Sequence, residues 1–352
     1  MADAYAIIMA GGNGERFWPV STPERPKQFV SLFGGKPLIR HAADRLAGLI
    51  PPERTLVVTA QRLVRQTQRA LPQIPRANIV GEPCRRDTAA AVACACGLVK
   101  RLGGPDAVGC ILTADQLMEP AAKFRRVLKD AISVAAKTDA IVTVGLVPDY
   151  PATGFGYIEI GARADFKAQT QFNQVRRFVE KPDEKTARRY LASRRFYWNS
   201  GMFIWKASTM ERAFQAAAPD IAGLIPAVET ARSLPTVLRR VYPALRAISV
   251  DYAVMEKAPN ILVARSAFAW DDVGSWWAIP RHFPSDADGN ACLGQTAVLD
   301  TRDSIVVSDD NHLTALIGMK DVVVVHTAKA TLVCPKDRVQ DVKKLVRTLS
   351  AR

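Results

Sequence analysis

Along the first half of the chain, short apolar runs alternate with longer amphipathic stretches. The runs at 5–10, 56–59, 78–80, 108–113 and 141–146 read as buried strands, and 38–49, 89–102 and 121–136 read as helices. In the last of these, Phe124, Val127, Leu128, Ala131, Ile132 and Ala135 recur at helical spacing and make one apolar stripe. Such alternation predicts an α/β fold, a doubly wound and mainly parallel sheet covered on both faces. Ligands bind such sheets at the carboxyl ends of strands, where this chain places Gly11, Glu82 and Asp115. From about Tyr157 the pattern becomes strand-rich, with runs at 174–179, 201–205, 248–254 and 261–268 that predict a mixed extension of the sheet.

After Trp277 the pattern changes again. Pro280, Pro284 and the polar stretch 285–290 read as a linker. Short apolar runs follow at 297–299, 304–307, 313–317, 322–325 and 331–333, spaced as stacked strands. A closing helix carries Val339, Val342, Leu345, Val346 and Leu349 on one face. The expected organisation is an α/β domain over residues 1–284 and a β-rich tail over 285–352, the tail with an exposed apolar face suited to self-association into a homo-oligomer.

Composition narrows the class. Of 352 residues, 48% are apolar and 23% charged, as in ordinary globular proteins. The net charge of +14 raises the question of nucleic acid, but the cations are scattered, with only short pairs such as Arg85-Arg86 and Arg239-Arg240, and no nucleic-acid motif accompanies them. The excess reads as a solvated surface that attracts small anionic substrates, and no nucleic-acid partner is expected. Six cysteines without a C-x-x-C pair read as buried free thiols in a reducing compartment. With no leader pattern and no stretch long enough to span a bilayer, a cytoplasmic protein without a membrane partner is expected. The four histidines, His41, His282, His312 and His326, show no ligand spacing and receive no role.

The first apolar run breaks into Gly11-Gly12-Asn13-Gly14-Glu15-Arg16-Phe17-Trp18-Pro19, followed by Pro26-Lys27-Gln28. Glycines after a strand let backbone N–H groups crowd a phosphate chain, while Arg16 and Lys27 supply neutralising charge. Phe17 stands where a dinucleotide fingerprint needs its third glycine, and the P-loop pattern occurs nowhere. The segment resembles instead the G-G-x-G-x-R-[LF]-x-P…P-K signature of the sugar-nucleotide pyrophosphorylases. The elements Gly81-Glu82-Pro83, Arg86-Asp87-Thr88-Ala89, Gly154-Phe155-Gly156-Tyr157, Glu180-Lys181-Pro182, Trp198-Asn199-Ser200-Gly201, Asp251-Tyr252-Ala253-Val254-Met255-Glu256-Lys257 and Asp272-Val273-Gly274-Ser275-Trp276 follow in the order of the mannose-1-phosphate guanylyltransferases, and together span nearly the whole chain.

This resemblance implies a nucleotide-diphospho-sugar transferase fold with a partial left-handed β-helix at the C-terminus. The implied reaction joins GTP and mannose 1-phosphate into GDP-mannose and pyrophosphate. An ionised sugar phosphate needs no covalent nucleophile, only alignment and cations that offset anion repulsion. By resemblance, Arg16 and Lys27 hold the β- and γ-phosphates above Gly11, Gly12 and Gly14, and Lys181 reaches the sugar phosphate. Asp115 and Asp272 supply hard oxygens for Mg2+ or another divalent cation, with Asp271 as the rival of Asp272. Glu180 and Asn199 bond mannose hydroxyls, the backbone at Gly156 and Tyr157 closes over the sugar, and Glu82 and Thr88 lie near the nucleoside.

Three positions depart from the family pattern. Gln116 replaces a histidine, Asp87 an asparagine and Ala90 a proline. Asp87 adds a negative charge that weakens phosphate binding unless Arg85 or Arg86 offsets it, and the three changes together point to altered specificity or a lower rate. Alternatives are a transferase for another hexose 1-phosphate or nucleotide, and a non-catalytic homologue. Retention of Arg16, Lys27, Asp115, Lys181 and Asp272 argues against the latter. The isomerase-bearing domain of longer relatives is expected to be absent and the chain monofunctional.

Overall fold

The computed structural model describes residues 3–12, 14–308 and 311–350. Asn13 of the glycine-rich segment lies outside the described residues. The chain divides into two compact units: Met1–Gly11, Ala42–Ala114 and Met118–Trp270 form the first, and Gly12–His41, Asp115–Leu117 and Asp271–Arg352 the second.

The first unit is built on β1 (Ala4–Ala10), β2 (Thr55–Ala60), β3 (Ile79–Glu82), β4 (Val108–Thr113), β6 (Ile141–Leu146), β7 (Tyr157–Ala164), β8 (Phe172–Val179), β9 (Phe196–Lys206) and β10 (Ile261–Arg265); the short strands β5 (Leu117–Glu119) and β11 (Ala269–Asp271) stand outside this sheet. The nine strands hydrogen-bond in the order β3-β2-β1-β4-β9-β6-β10-β8-β7. β1 to β4 pair in parallel, as do β6 and β10, while β8 and β9 run against their neighbours. This is the expected doubly wound mixed sheet.

Its helices include α1 (Leu38–Asp44), which runs into the second unit, then α2 (Val64–Ala70), α3 (Asp87–Gly103), α4 (Ala121–Lys137), α5 (Glu184–Ser193) and α6 (Ala207–Ala217). The small residues of α3, Ala89 to Cys96, share a core with Ile7, Leu56, Val58 and Ile111. The alternate positions Ile8 and Val57 are also fully buried, so the strands bury both faces, which is why they read as unbroken apolar runs. Cys94, Cys96 and Cys110 are buried, and all six cysteines are free. Among the described residues no helix is long and apolar enough to cross a membrane.

Three sequence expectations need correction. The apolar alternation at 248–254 is not a strand: Asp251–Met255 form a wide helical turn, closed by Glu256 N–H on the Asp251 carbonyl at 2.9 Å. Its preceding backbone bonds the start of α3, with Ala89 N–H on the Ile248 carbonyl and Val250 N–H on Thr88 Oγ1. The helix expected over 38–49 ends at Asp44 and continues as turns. α3 begins two residues before Ala89, at Asp87, whose backbone is left-handed (φ 58°).

In the second unit, β12 (Ala291–Leu293), β14 (Ile305–Val307) and β16 (Val322–Thr327) stack in parallel, β17 (Ala330–Pro335) adds antiparallel, and β13 (Thr296–Leu299) pairs in parallel with β15 (Thr314–Ile317). Thr296 stacks on Thr314 and Ile305 on Val323, one coil apart, giving the β-helix-like tail. The closing helix, Val342–Ser350, buries Val342 and Val346 with Val339, while Leu345 stays exposed. On the coil surface the adjacent Leu299 and Ile317 are exposed.

Candidate active site

In the second unit the glycine-rich segment is held by its aromatic end. Phe17, in a short 3-10 turn at Glu15–Phe17, is buried against Trp276 with ring centroids 5.0 Å apart, and Trp276 donates its indole N–H to the Trp18 carbonyl at 3.2 Å. Gly14 has φ +60°, and a Cβ there would come 2.1 Å from Lys27 Cβ, so only glycine lets the segment cross over Lys27. Among the described residues beyond its chain neighbours, no atom lies within 4 Å of a Cβ built at Gly12, which leaves space there for a ligand. Arg16 is half-buried, and its Nε is shielded without a hydrogen-bond partner among the described residues.

Lys27 is only 7% exposed, in a short turn with buried Gln28 and Phe29. Its ammonium donates to Asp115 Oδ2 at 3.0 Å and to the Asp272 carbonyl oxygen. Burial pushes the Asp272 carboxyl above the ordinary carboxylate range, the Lys27 charge opposes that, and Asp271 and Asp115 push the same way as burial. The ammonium thus bonds one carboxylate, that of Asp115, and acts on the Asp272 carboxylate through its field, while Asp272 Oδ1 accepts the Gly274 N–H at 3.2 Å.

Asp271 is committed elsewhere. Its carboxylate receives Arg281 through Nε and Nη2, both at 2.9 Å, His282 Nε2 at 2.8 Å and Val273 N–H at 2.8 Å. The last contact holds Val273 at φ +47°, a conformation that a β-branched residue adopts only under constraint. Asp271 thus orders the loop that carries Asp272, and His282, which has no sequence signature, helps it. Burial alone would raise the Asp271 carboxyl, but His282, the Val273 N–H and Arg281 hold it below its ordinary 3.8. A depressed carboxyl stabilises the fold above its unfolded value, and that stability is lost as pH falls through the folded one. Asp271→Asn is expected to cost about 2 kcal/mol at neutral pH, with the gap to wild type narrowing below pH about 4 in urea titrations; an equal gap at all pH values would contradict this.

In the first unit, Glu82 ends β3 and is not an exposed turn residue. Its Oε1 accepts the hydroxyl of fully buried Tyr242, and a Cβ at Gly11 would stand 3.3 Å from its Oε2. Burial raises the Glu82 carboxyl and the Tyr242 hydrogen bond lowers it, leaving it above the ordinary range. Thr88 is exposed at the start of α3, its hydroxyl accepting from Val250 N–H at 2.9 Å. The Arg86 guanidinium donates to the carbonyls of Arg85 and Pro243.

A second group in this unit surrounds Asn199. Its backbone N–H bonds the Gly156 carbonyl at 2.8 Å, its Nδ2 bonds Asp251 Oδ1 at 2.7 Å, and its Oδ1 accepts from Gly201 N–H at 3.0 Å. Glu180 Oε2 would meet a Cβ at Gly156 at 2.8 Å, so the lack of a side chain there makes room for the carboxylate. Tyr157 is buried and its hydroxyl bonds the Ala152 carbonyl at 2.8 Å, which leaves only its backbone for a ligand. Lys181, 61% exposed and with a left-handed backbone (φ 39°), rests on the Glu180 carboxylate. Asp251 is the member of this group to which sequence reasoning gave no role; burial raises its carboxyl, the Asn199 amide lowers it, and Glu180 and Asp87 raise it further.

The second unit thus gathers Lys27, Asp115 and Asp272 beside Gly14. The first gathers Glu180, Lys181, Gly156 and Asn199, and sets Glu82 at Gly11. Among the described residues no cluster of three or more histidine, cysteine or acidic side chains is placed to hold a metal. Magnesium commonly binds one or two carboxylates and completes its shell with water and substrate phosphates, a requirement that Asp115 and Asp272 fit.

The family described as Nucleotidyl transferase matches residues 5–289, and the MannoseP isomerase/GMP-like beta-helix domain matches residues 294–349. A mannose-1-phosphate guanylyltransferase of Escherichia coli is 38% identical over 97% of this chain and 73% of its own length, and one of Klebsiella pneumoniae is equally similar over the same shares. A crystal structure described as mannose-1-phosphate geranyltransferase, from Thermus thermophilus, superimposes with a TM-score of 0.87 at 34% identity over 99% of both chains.

Proposed function

Because this chain belongs to the nucleotidyl transferase family, and within it to the mannose-1-phosphate guanylyltransferases, we propose the following roles for its residues in that reaction. The protein is an enzyme that joins GTP and mannose 1-phosphate into GDP-mannose with release of pyrophosphate. The sugar phosphate attacks the α-phosphorus directly, in line with the departing pyrophosphate.

Lys27 and Arg16 hold the β- and γ-phosphates and stabilise charge on the leaving group, over the backbone of Gly11, Gly12 and Gly14. Lys181 leaves Glu180 to hold the sugar phosphate near its attacking oxygen. Glu180 and Asn199 accept and donate to mannose hydroxyls, with the backbone of Gly156 and Tyr157 beneath the sugar. Glu82 accepts from guanine N1–H and N2–H, with Thr88 beside the nucleoside. Nucleotidyltransferases of this family generally use a divalent metal; Asp115 and Asp272 are the residues that would hold it here, where it would neutralise phosphate charge. The catalytic domain covers 1–284 and the tail 285–352.

The observation that carries this reading is the Lys27 ammonium, nearly buried between the Asp115 carboxylate and the Asp272 loop. A side chain so placed is too constrained for a solubilising surface cation and suits a pre-organised phosphate site. Pyrophosphate release measured over a matrix of nucleoside triphosphates and hexose 1-phosphates is expected to be fastest for GTP with mannose 1-phosphate; a different best pair would refute the substrate assignment. In the same assay Glu82→Gln is expected to lower the preference for GTP over ATP at least tenfold, because an amide oxygen accepts only weakly from guanine and its N–H₂ can donate to adenine N1.

A further inference from the structure

Glu82 and Tyr242 are 160 residues apart in sequence, yet the tyrosine hydroxyl donates to the carboxylate from a fully buried ring. A second tie joins the same two segments, since the Arg86 guanidinium bonds the carbonyl of Pro243, next to Tyr242. Together they fasten the 82–86 segment to the turn Tyr242–Ala244. The tie at Glu82 is specific to one oxygen: Oε1 takes the hydroxyl, and Oε2 is left facing Gly11 at the head of the glycine-rich segment. A glutamate without such a tie rotates freely about its terminal bonds and loses side-chain entropy on binding a ligand.

We infer that Tyr242 is a positioning residue for nucleotide selectivity, holding the Glu82 carboxylate in the orientation that accepts from guanine and faces adenine N1 with an unpaired acceptor. This rests on the assignment of Glu82 to the base. Guanine presents donors at N1 and N2, whereas adenine presents an acceptor and a C–H, so a carboxylate fixed in the base plane favours one and penalises the other. Burial of Glu82 sharpens the effect, because a desolvated acceptor left without its donor is costly. The phenol contributes through Glu82 and needs no contact with the nucleotide.

Tyr242→Phe removes only the hydroxyl from a buried ring. It is expected to raise KM for GTP about tenfold and lower the GTP-over-ATP ratio of kcat/KM by a similar factor, with kcat and the KM for mannose 1-phosphate near wild type. In the Glu82→Gln background the same change is expected to add little. If Tyr242→Phe keeps the wild-type ratio while Glu82→Gln lowers it, Glu82 reads the base unaided and the proposal fails alone. If neither changes the ratio, both the base assignment and the proposal fail. Equal loss toward GTP, ATP and mannose 1-phosphate would mark Tyr242 as merely structural and also overturn it.

Discussion

Lys27→Ala is expected to reduce kcat/KM about 10²–10³-fold, the size of effect seen when one pre-organised charge-stabilising donor is removed. Lys27 holds Asp115 and the Asp272 loop at once. Without it, two acids repel each other and the triphosphate, and Asp272 loses the charge that opposes its burial. The fold has less at stake. Asp115 is 39% exposed and regains water, so the stability cost is about 1 kcal/mol, a few degrees in Tm. Pyrophosphate release alongside a thermal melt separates the two effects. Wild-type activity in the variant would remove Lys27 from the reaction, and a collapsed melt would make its role structural.

Gly14→Ala is expected to inactivate almost as strongly, about 10²-fold, although it deletes no functional group. Alanine at φ +60° costs about 1 kcal/mol, and its methyl would stand 2.1 Å from Lys27 Cβ, too close for either backbone to keep its place. The lysine must shift, and its ammonium leaves the point between Asp115 and Asp272. Gly12→Ala is the matched control, because among the described residues beyond its chain neighbours nothing lies within 4 Å of the added carbon. Its folding should be unaffected, and any rise in KM for GTP reports a ligand in that space. Retained activity in Gly14→Ala, with the fold intact, would show that the position of Lys27 is not critical.

How much of this was legible beforehand depended on how local each signal is. β1, β4 and β6 were readable because strands buried on both faces leave continuous apolar runs, and α4 because its buried residues repeat at helical spacing. α2, with the polar sequence Val64-Arg65-Gln66-Thr67-Gln68-Arg69-Ala70, has no such stripe and could not be read. The run at 248–254 misled because Val250, Ala253 and Val254 are buried in the core shared with α3 and α6 while its backbone bonds the start of α3. In the site, the glycines and cations announced themselves by spacing. Asp271 and Asp272, adjacent and identical in type, were distinguished only by Arg281 and His282, which the fold brings onto the first. Tyr242 carried no signal at all: its partner lies far along the chain, and a buried tyrosine in an apolar stretch looks like core.

The most direct test is a crystal structure with GTP, mannose 1-phosphate and a divalent ion that does not support turnover. The expected density has the triphosphate on the backbone of Gly12 and Gly14 with Arg16 and Lys27 on its terminal phosphates, Lys181 on the sugar phosphate, and the ion between Asp115 and Asp272. Phosphates bound away from Lys27, or an ion held without either aspartate, would contradict it.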